Sequence, residues 1–344
     1  MTTASLQESQ PAPEKAKNHW PLLSVRNLEV EYHIRRGIVK AVDMVSFEIA
    51  KNEVFGLAGE SGCGKSTIAH SVTRILKPPA YITGGEIVFN GIDILKMRDE
   101  QLRGFRWEHL SIVFQSAMNA LNPVLSVGAQ IIDAIQAHKP MNKRAARERA
   151  KELLRTVGID VKRIDSYPHQ LSGGMRQRAV IAIALALNPE MIIMDEPTTA
   201  LDVVVQKQII REIQELQQAF GFSIMFITHD LSLLVEISDR IGIMYAGELV
   251  EMAPAQTIFG NPQHPYTFRL MNSFPMISGA RQELFGIAGS PPDLISPPPG
   301  CRFHPRCESA EPICRETVPR LRQIGENHQA ACHLLKKEGD YGQK

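Results

Sequence analysis

The run Gly59 to Thr67, GESGCGKST, sets glycines, a lysine and two hydroxyls at the spacing G-x-x-x-x-G-K-[ST], a pattern suited to cradling a polyphosphate. Gly59, Gly62 and Gly64 let backbone N–H groups turn inward on phosphate oxygens, while Ser61 and Cys63 fill the turn between them. Lys65 is placed to reach the β- and γ-phosphates, the Ser66 hydroxyl to ligate Mg²⁺, and Thr67 to line the same pocket. A second set of chemical groups ends the run MIIMDEP, where Asp195 would hold Mg²⁺ and Glu196 would orient and polarise an attacking water. Triphosphate hydrolysis is the chemistry these two sets share.

The elements that must hold them are legible nearby. VFGLA (Val54 to Ala58) reads as a buried strand and STIAHSVTRIL (Ser66 to Leu76) as a helix, giving strand, loop and helix in order, with the helix dipole aimed at the phosphates. Leu28, Val30 and Tyr32 alternate with polar neighbours as in a half-buried strand, and GEIVFNG predicts another strand closed by an Asn90-Gly91 turn. This sheet lobe is expected to continue to Gln115, after which the pattern to about Tyr167 is helical. The charged run from Asn142 to Gly158 reads there as a solvated helix face. Ser172, Gly173 and Gly174 open the helix GMRQRAVIAIALAL and so offer a second anion site.

QLSGGMRQR (Gln170 to Arg178), taken with the phosphate loop and MIIMDEP, resembles the ATP-binding subunits of ABC transporters. The family's ordered set runs Tyr32, the loop, Gln115 after IVF, LSGGM, Asp195 and Glu196, TALD (Thr199 to Asp202) and His229 after IMFIT. The fold this resemblance implies is an α/β P-loop NTPase, an ABC-type nucleotide-binding domain with an antiparallel β lobe, a helical subdomain and a cysteine-containing C-terminal extension. Tyr32 would stack on adenine, Gln115 would sense Mg²⁺ and the attacking water, and His229 would contact the γ-phosphate. Ser172, Gly173, Gly174 and Gln177 would cover ATP bound by another subunit, with Asp202 as a switch at the dimer contact. The implied partners are a second ATP-binding subunit, itself or a homologue, two transmembrane permease subunits docked beside Gln115, and an extracytoplasmic solute-binding protein.

MNALNPVLSVGAQI (Met118 to Ile131), NPQHPYTFRLMNSFP and GSPPDLISPPPGCRFHPRC resemble the oligopeptide/dipeptide importer branch. Peptides are then the expected solute, with nickel, opines or oligosaccharides as alternatives and a non-transport role on DNA or ribosomes as a rival class. Ser116 and Ala117 depart from the family, standing where an acidic residue and proline are usual. The organisation is a disordered tail over 1–20, an ATP-binding domain over 21–260 with its helical subdomain at about 115–175, and the extension over 261–344.

With 38 Lys and Arg against 37 Asp and Glu, the 344-residue chain has a net charge of +1, which gives no electrostatic case for nucleic acid. Its apolar runs fall short of the roughly 18 residues of a spanning helix, and residues 1–20 lack the apolar core of a signal peptide. The expected location is the cytoplasmic face of the membrane, through the permease. Cys301, Cys307, Cys314 and Cys332, spaced C-x₅-C-x₆-C-x₁₇-C, argue for metal over disulfides. The resemblance implies a [4Fe–4S] cluster, with zinc or free thiols as alternatives and His304, His328 and His333 as possible complications. Far along the chain from the phosphate loop, these cysteines are expected mainly to fold the extension and shape its partner contacts.

Overall fold

Three five-residue runs, Val54–Ala58, Met191–Asp195 and Ser223–Ile227, are buried at every position, as expected of strands covered on both faces of a parallel sheet. The computed structural model describes residues 21–115, 120–199, 201–273 and 286–335. The tail over 1–20 and the departures at Ser116 and Ala117 lie outside the described residues.

The chain begins with β1 (Leu23–Ile34) and β2 (Gly37–Ile49), then β3 (Val54–Ala58) and α1 (Lys65–Val72). Next come β4 (Ala80–Phe89), β5 (Ile92–Asp93), α2 (Asp99–Glu108) and β6 (Leu110–Val113). Three helices follow, α3 (Val127–Gln136), α4 (Lys143–Thr156) and α5 (Gly173–Ala184). The second half alternates β7 (Met191–Asp195), α6 (Val203–Phe220), β8 (Ser223–Ile227), α7 (Leu231–Ile237), β9 (Arg240–Tyr245) and β10 (Glu248–Pro254). It ends with α8 (Ala255–Gly260), α9 (Pro265–Asn272), α10 (Ile313–Glu316) and the hairpin β11 (Arg322–Gly325) and β12 (His328–Ala330).

An antiparallel sheet of order β2-β1-β4-β5 lies beside a mixed sheet of order β11-β12-β10-β9-β3-β8-β7-β6. Within the second, β9, β3, β8, β7 and β6 are parallel, so their C-terminal ends meet at one edge. Strand β3 lies between β8 and β9, the switch point outside which ligands bind in open α/β sheets. The sheet is the wall between two cores. Phe55, Leu57, Ile193 and Met225 face the core shared with the antiparallel sheet, whereas Val54, Ile192, Met194 and Phe226 face the helices, as the period of two along a strand requires.

The structure changes two expectations. The antiparallel lobe does not run on to Gln115, because β6 pairs in parallel with β7 and belongs to the large sheet. The helix expected to Leu76 stops at Val72, and Arg74 just beyond it takes a φ of 51°, which no helix accommodates. The helix in the charged run stands where expected, with the Asn142 side chain capping α4.

Residues after 260 complete the sheet. Strand β12 pairs with β10, placing Ala330 opposite Glu251. Glu251 is fully buried, and its carboxylate accepts from Gln263 N (2.7 Å), His264 N (2.9 Å) and His328 Nε2 (2.7 Å). Arg302, almost fully buried, pairs with both Asp43 and Glu248. Two carboxylates thus share one guanidinium, and burial pushes the Glu248 carboxyl up to about 7 against the pull of Arg302, with Asp43 adding to the rise. An acid whose pKa is raised on folding gives its full stability below its unfolded pKa and loses it as pH climbs through the folded value. Glu248→Gln should therefore gain roughly 1–3 kcal/mol on the wild type between about pH 5 and pH 8. Denaturant unfolding of both proteins across that range checks this, and parallel stability curves would show that Glu248 ionises without penalty.

Candidate functional site

The parallel strands deliver the predicted groups to one edge: β3 leads into the phosphate loop, β6 into Gln115, β7 ends at Asp195 and β8 runs to His229. The loop is wedged against backbone from behind. A Cβ on Gly59 would stand 2.2 Å from the Met244 carbonyl oxygen and one on Gly64 2.2 Å from that of Ala41, so neither position admits a side chain. Gly247 N donates to the Cys63 carbonyl (3.0 Å). Lys65 is buried, and its Nζ donates to the carbonyls of Gly59 (2.8 Å) and Glu60 (2.9 Å), which aims the ammonium along the loop. The Tyr32 hydroxyl lies 3.2 Å from Thr67 Oγ1, tying the antiparallel lobe to the first turn of α1.

Asp195 is buried at the end of β7, and burial raises its pKa, with the Ser66 hydroxyl, His70 and Lys65 drawing it down and Glu196 adding to the rise. Its Oδ1 has no hydrogen-bond partner among the described residues. A buried, unpartnered carboxylate oxygen beside a serine hydroxyl fits a hard divalent cation.

Glu196 gathers the rest. Its Oε2 accepts from Gln115 Nε2 (2.9 Å) and Thr199 Oγ1 (3.0 Å), and its Oε1 lies 3.3 Å from His229 Nδ1. Gln115, Glu196 and His229, which sequence put far apart, form one hydrogen-bonded group. Oε2 is committed twice, so Oε1 retains the lone pair that can face a water. A carboxylate only accepts, so His229 donates from Nδ1–H; to donate from Nε2 as well, the ring must carry both protons. Glu196 takes a φ of 47°, a left-handed value unusual outside glycine, and its N–H is held by the Ile227 carbonyl at 2.8 Å.

Ser172 caps α5, accepting from Met175 N at 3.3 Å, and is exposed, with Gly173 and Gly174 beside it. Gly174 packs against Val205 of α6, whose N-cap is Asp202. Among the described residues, no hydrogen bond joins Ser172–Gly174 to the groups around Lys65 or Glu196. Gln177, one turn along the same helix face, is 1% exposed, and its side-chain amide nitrogen has no hydrogen-bond partner among the described residues.

The four cysteines of the extension come together. Cys301, Cys307, Cys314 and Cys332 line one cavity of about 10 Å³ with His264, His304 and His333, and all four are free thiols. Burial pushes Cys301 up to about 12 and raises Cys307 and Cys332, and each thiol is further raised by its cysteine neighbours. Among the described residues, no group of three or more His, Cys, Asp or Glu side chains is arranged to hold a metal ion. Two of the three histidines flagged with them are committed to backbone, His304 Nδ1 to the Cys301 carbonyl (2.9 Å) and His333 Nε2 to that of Thr317 (2.8 Å); His328 is held by Glu251.

The remoteness of this region from the phosphate loop is not preserved in space. Arg306 binds the Glu60 carboxylate through both terminal nitrogens (2.7 and 3.0 Å), and Glu60 N donates to the Tyr266 hydroxyl (2.9 Å). Pro291, Pro292 and Leu294 line a pocket with Glu60, Ser61, Gly62 and Cys63. Sequence reasoning gave Thr199 no role beyond its place in TALD and missed Tyr266 and Arg306 as members of the site. Thr199 could have been found from its place three residues after Glu196, whereas nothing local pairs Glu60 with residues 206 and 246 positions away.

An ABC transporter family profile matches residues 42–199, and an oligopeptide/dipeptide transporter C-terminal region matches residues 250–314. The chain is 43% identical over 323 residues to the dipeptide transport ATP-binding protein DppD of Bacillus subtilis, covering 93% of this chain and 96% of that protein. It is 45% identical over 315 residues to a probable peptide ABC transporter ATP-binding protein of Sinorhizobium fredii, covering 90% and 94%. Among solved structures, the dimeric bacterial ABC transporter cassette MJ0796 aligns with a TM-score of 0.61 at 29% identity, over 68% of this chain and 98% of that one. The same cassette as a post-hydrolysis dimer bound to ADP and phosphate aligns with a TM-score of 0.60.

Two substitutions separate binding from chemistry. Glu196→Gln should keep ATP affinity while lowering steady-state hydrolysis about 10²-fold or more, as loss of a positioned base does, and Lys65→Ala should lose ATP affinity itself. Nucleotide binding and turnover measured on one preparation of each decide it; near-wild-type hydrolysis in the first, or normal binding in the second, removes that residue from its role.

Proposed function

Because this chain belongs to the ABC transporter family as an ATP-binding subunit of the oligopeptide/dipeptide branch, we propose that it hydrolyses ATP to drive uptake of di- or oligopeptides through a separate permease. The observation that carries the hydrolytic half is the convergence of Gln115, Glu196 and His229 on one carboxylate, beside a buried Asp195 oxygen without a protein partner. Lys65 and the loop N–H groups hold the phosphates, Tyr32 stands by for adenine, and Glu196 Oε1 takes the proton of a water held in line with the γ-phosphate. Asp195 and Ser66, with Gln115, would hold Mg²⁺, which when bound neutralises charge developing on the phosphate oxygens. His229 steadies Glu196 in its strained conformation.

The exposed Ser172 hydroxyl at the start of α5, beside two half-buried glycines, supports a site completed by a second ATP-binding subunit. Val203 and Val204, 67% and 77% exposed beside Asp202, offer that subunit an apolar contact. Transport would run through permease subunits, with a solute-binding protein supplying peptide from outside; among the described residues of this chain no helix is long and apolar enough to cross a membrane. On this reading the chain works at the cytoplasmic face of the membrane, held there by the permease. A groove of about 400 Å³, walled by Trp107, Phe114, Leu121, Leu125 and Val180, begins one residue before Gln115 and suits a short amphipathic helix of the permease. A helix seated there bears on the strand end that holds Gln115 and so on Glu196.

Pro123 and Asn122 are exposed at the rim of this groove. Bulky or charged replacements there should reduce peptide uptake in reconstituted vesicles more than basal ATP hydrolysis. Equal loss of both, or of neither, would count against coupling through this face.

The four cysteines support a [4Fe–4S] cluster by donor set: four thiols from separate turns around one cavity, with no lysine or arginine lining it. With the thiols as they stand the cavity, about 10 Å³, has no room for a cluster. Bound iron would supply the positive charge that buried thiolates lack and would cross-link the turns that carry Arg302 and Arg306. Protein purified without oxygen should be brown, absorb near about 400 nm and hold about four irons per chain. The colour should vanish in Cys307→Ser or Cys314→Ser but persist on replacing Cys63. Stoichiometric zinc in colourless protein would keep the metal site and reject the cluster; folded, metal-free protein would reject both.

A further inference from the structure

Glu60 is an acid inside a loop built to hold a polyanion, and each of its polar groups is committed. Its N–H donates to the Tyr266 hydroxyl (2.9 Å), its carbonyl accepts from Lys65 Nζ (2.9 Å), and its carboxylate takes both terminal nitrogens of Arg306 (2.7 and 3.0 Å). The Arg306 side chain is 6% exposed and is itself clamped, donating to the carbonyls of Ala288 (2.8 Å), Ile287 (3.3 Å) and Gly289 (3.3 Å) and to the Tyr245 hydroxyl (3.3 Å). Its charge also lies 5.8 Å over the Tyr245 ring. Tyr266 is fully buried, its ring against those of Tyr245 (4.6 Å) and Phe303 (5.4 Å). Two of the three partners of Glu60, Tyr266 and Arg306, thus come from beyond residue 260.

We infer that Arg306 and Tyr266 are positioning residues for ATP binding: Arg306 cancels the Glu60 charge next to the phosphates, and Tyr266 fixes the direction of the loop's first peptide groups. The proposal rests on the ATP site described above. A bidentate, largely buried arginine–carboxylate pair is strongly geometry-dependent, and removing one member leaves the other's charge uncompensated. An unpaired Glu60 would repel a triphosphate more than a diphosphate, since the repulsion scales with ligand charge.

The experiment is equilibrium binding of ATP and ADP by the full chain, with thermal unfolding of each variant to establish folding and Lys65→Ala as reference. Arg306→Ala should weaken ATP about tenfold and ADP by less, and the gap should narrow at high salt. Glu60→Gln in the Arg306→Ala background should restore most of the ATP affinity, because the repelling charge is gone, and should restore ATP binding more than ADP binding, which relief of structural strain alone would not do. Arg306→Lys should fall between, keeping charge but losing the two-pronged contact. Tyr266→Phe, which keeps the ring and loses only the hydroxyl, should weaken both nucleotides alike. Equal ATP and ADP losses in Arg306→Ala, no rescue by Glu60→Gln, or wild-type affinity in a folded Arg306→Ala would each overturn the charge role. A wild-type chain that bound neither nucleotide would overturn the ATP site along with it.

Discussion

A loop that turns its N–H groups toward a polyphosphate cannot use them to hold itself in place, so something outside the loop must. Here the support is backbone on one side and charge on the other. Gly59 and Gly64 lie so close to the carbonyls of Met244 and Ala41 that a methyl group at either would collide. Glu60 is held by Tyr266 and Arg306. The loop is a fixed cradle because strands β2 and β9, the turn after β9 and the C-terminal region press against its outer surface.

That dependence explains why the C-terminal region is continuous with the nucleotide-binding sheet. Strand β12 hydrogen-bonds to β10, and the buried Glu251 carboxylate joins the start of α9 to β12 through three donors. His264, whose pKa is driven down to about 4 by burial despite Glu251, stays neutral and accepts from Tyr266 N at 3.0 Å. A chain of bonded groups therefore leads from the sheet, through α9, to the hydroxyl that holds Glu60. The segment carrying Cys301 and Cys307 also carries Arg302, bound to Asp43 and Glu248, and Arg306. Whatever shapes the cysteine cavity acts on the two arginines that anchor this region to the ATP site.

At the hydrolytic centre the same logic appears in a smaller space. Asp195 and Glu196 are adjacent in sequence but do different work, because the left-handed turn at Glu196 sends its carboxylate toward Gln115, Thr199 and His229 while Asp195 stays at the buried strand end. The backbone strain is balanced by the Glu196 N–H bond to the Ile227 carbonyl. Through Gln115 the group also adjoins the apolar groove beside β6, so a shift at that surface would be felt at the carboxylate.

The sequence by itself determined the chemistry and the elements nearest to it. Glycine spacing, a lysine, and apolar runs ending in carboxylates are local patterns, and local sterics and burial are enough to turn VFGLA and MIIMDEP into strands and SGGMRQR into a capped helix. Only the tertiary structure decided which of these meet. Strand β6 joined the large sheet because its apolar face completes the wall beside β7, a choice that local alternation does not encode. Gln177 lies one turn along α5 on the same face as Gly173 and Gly174, yet it is 1% exposed because the surrounding fold covers it. The pairing of Glu60 with Arg306, across 246 positions, left no local trace: a salt bridge depends on distance in space, and only the folded sheet brings the C-terminal region back against the loop.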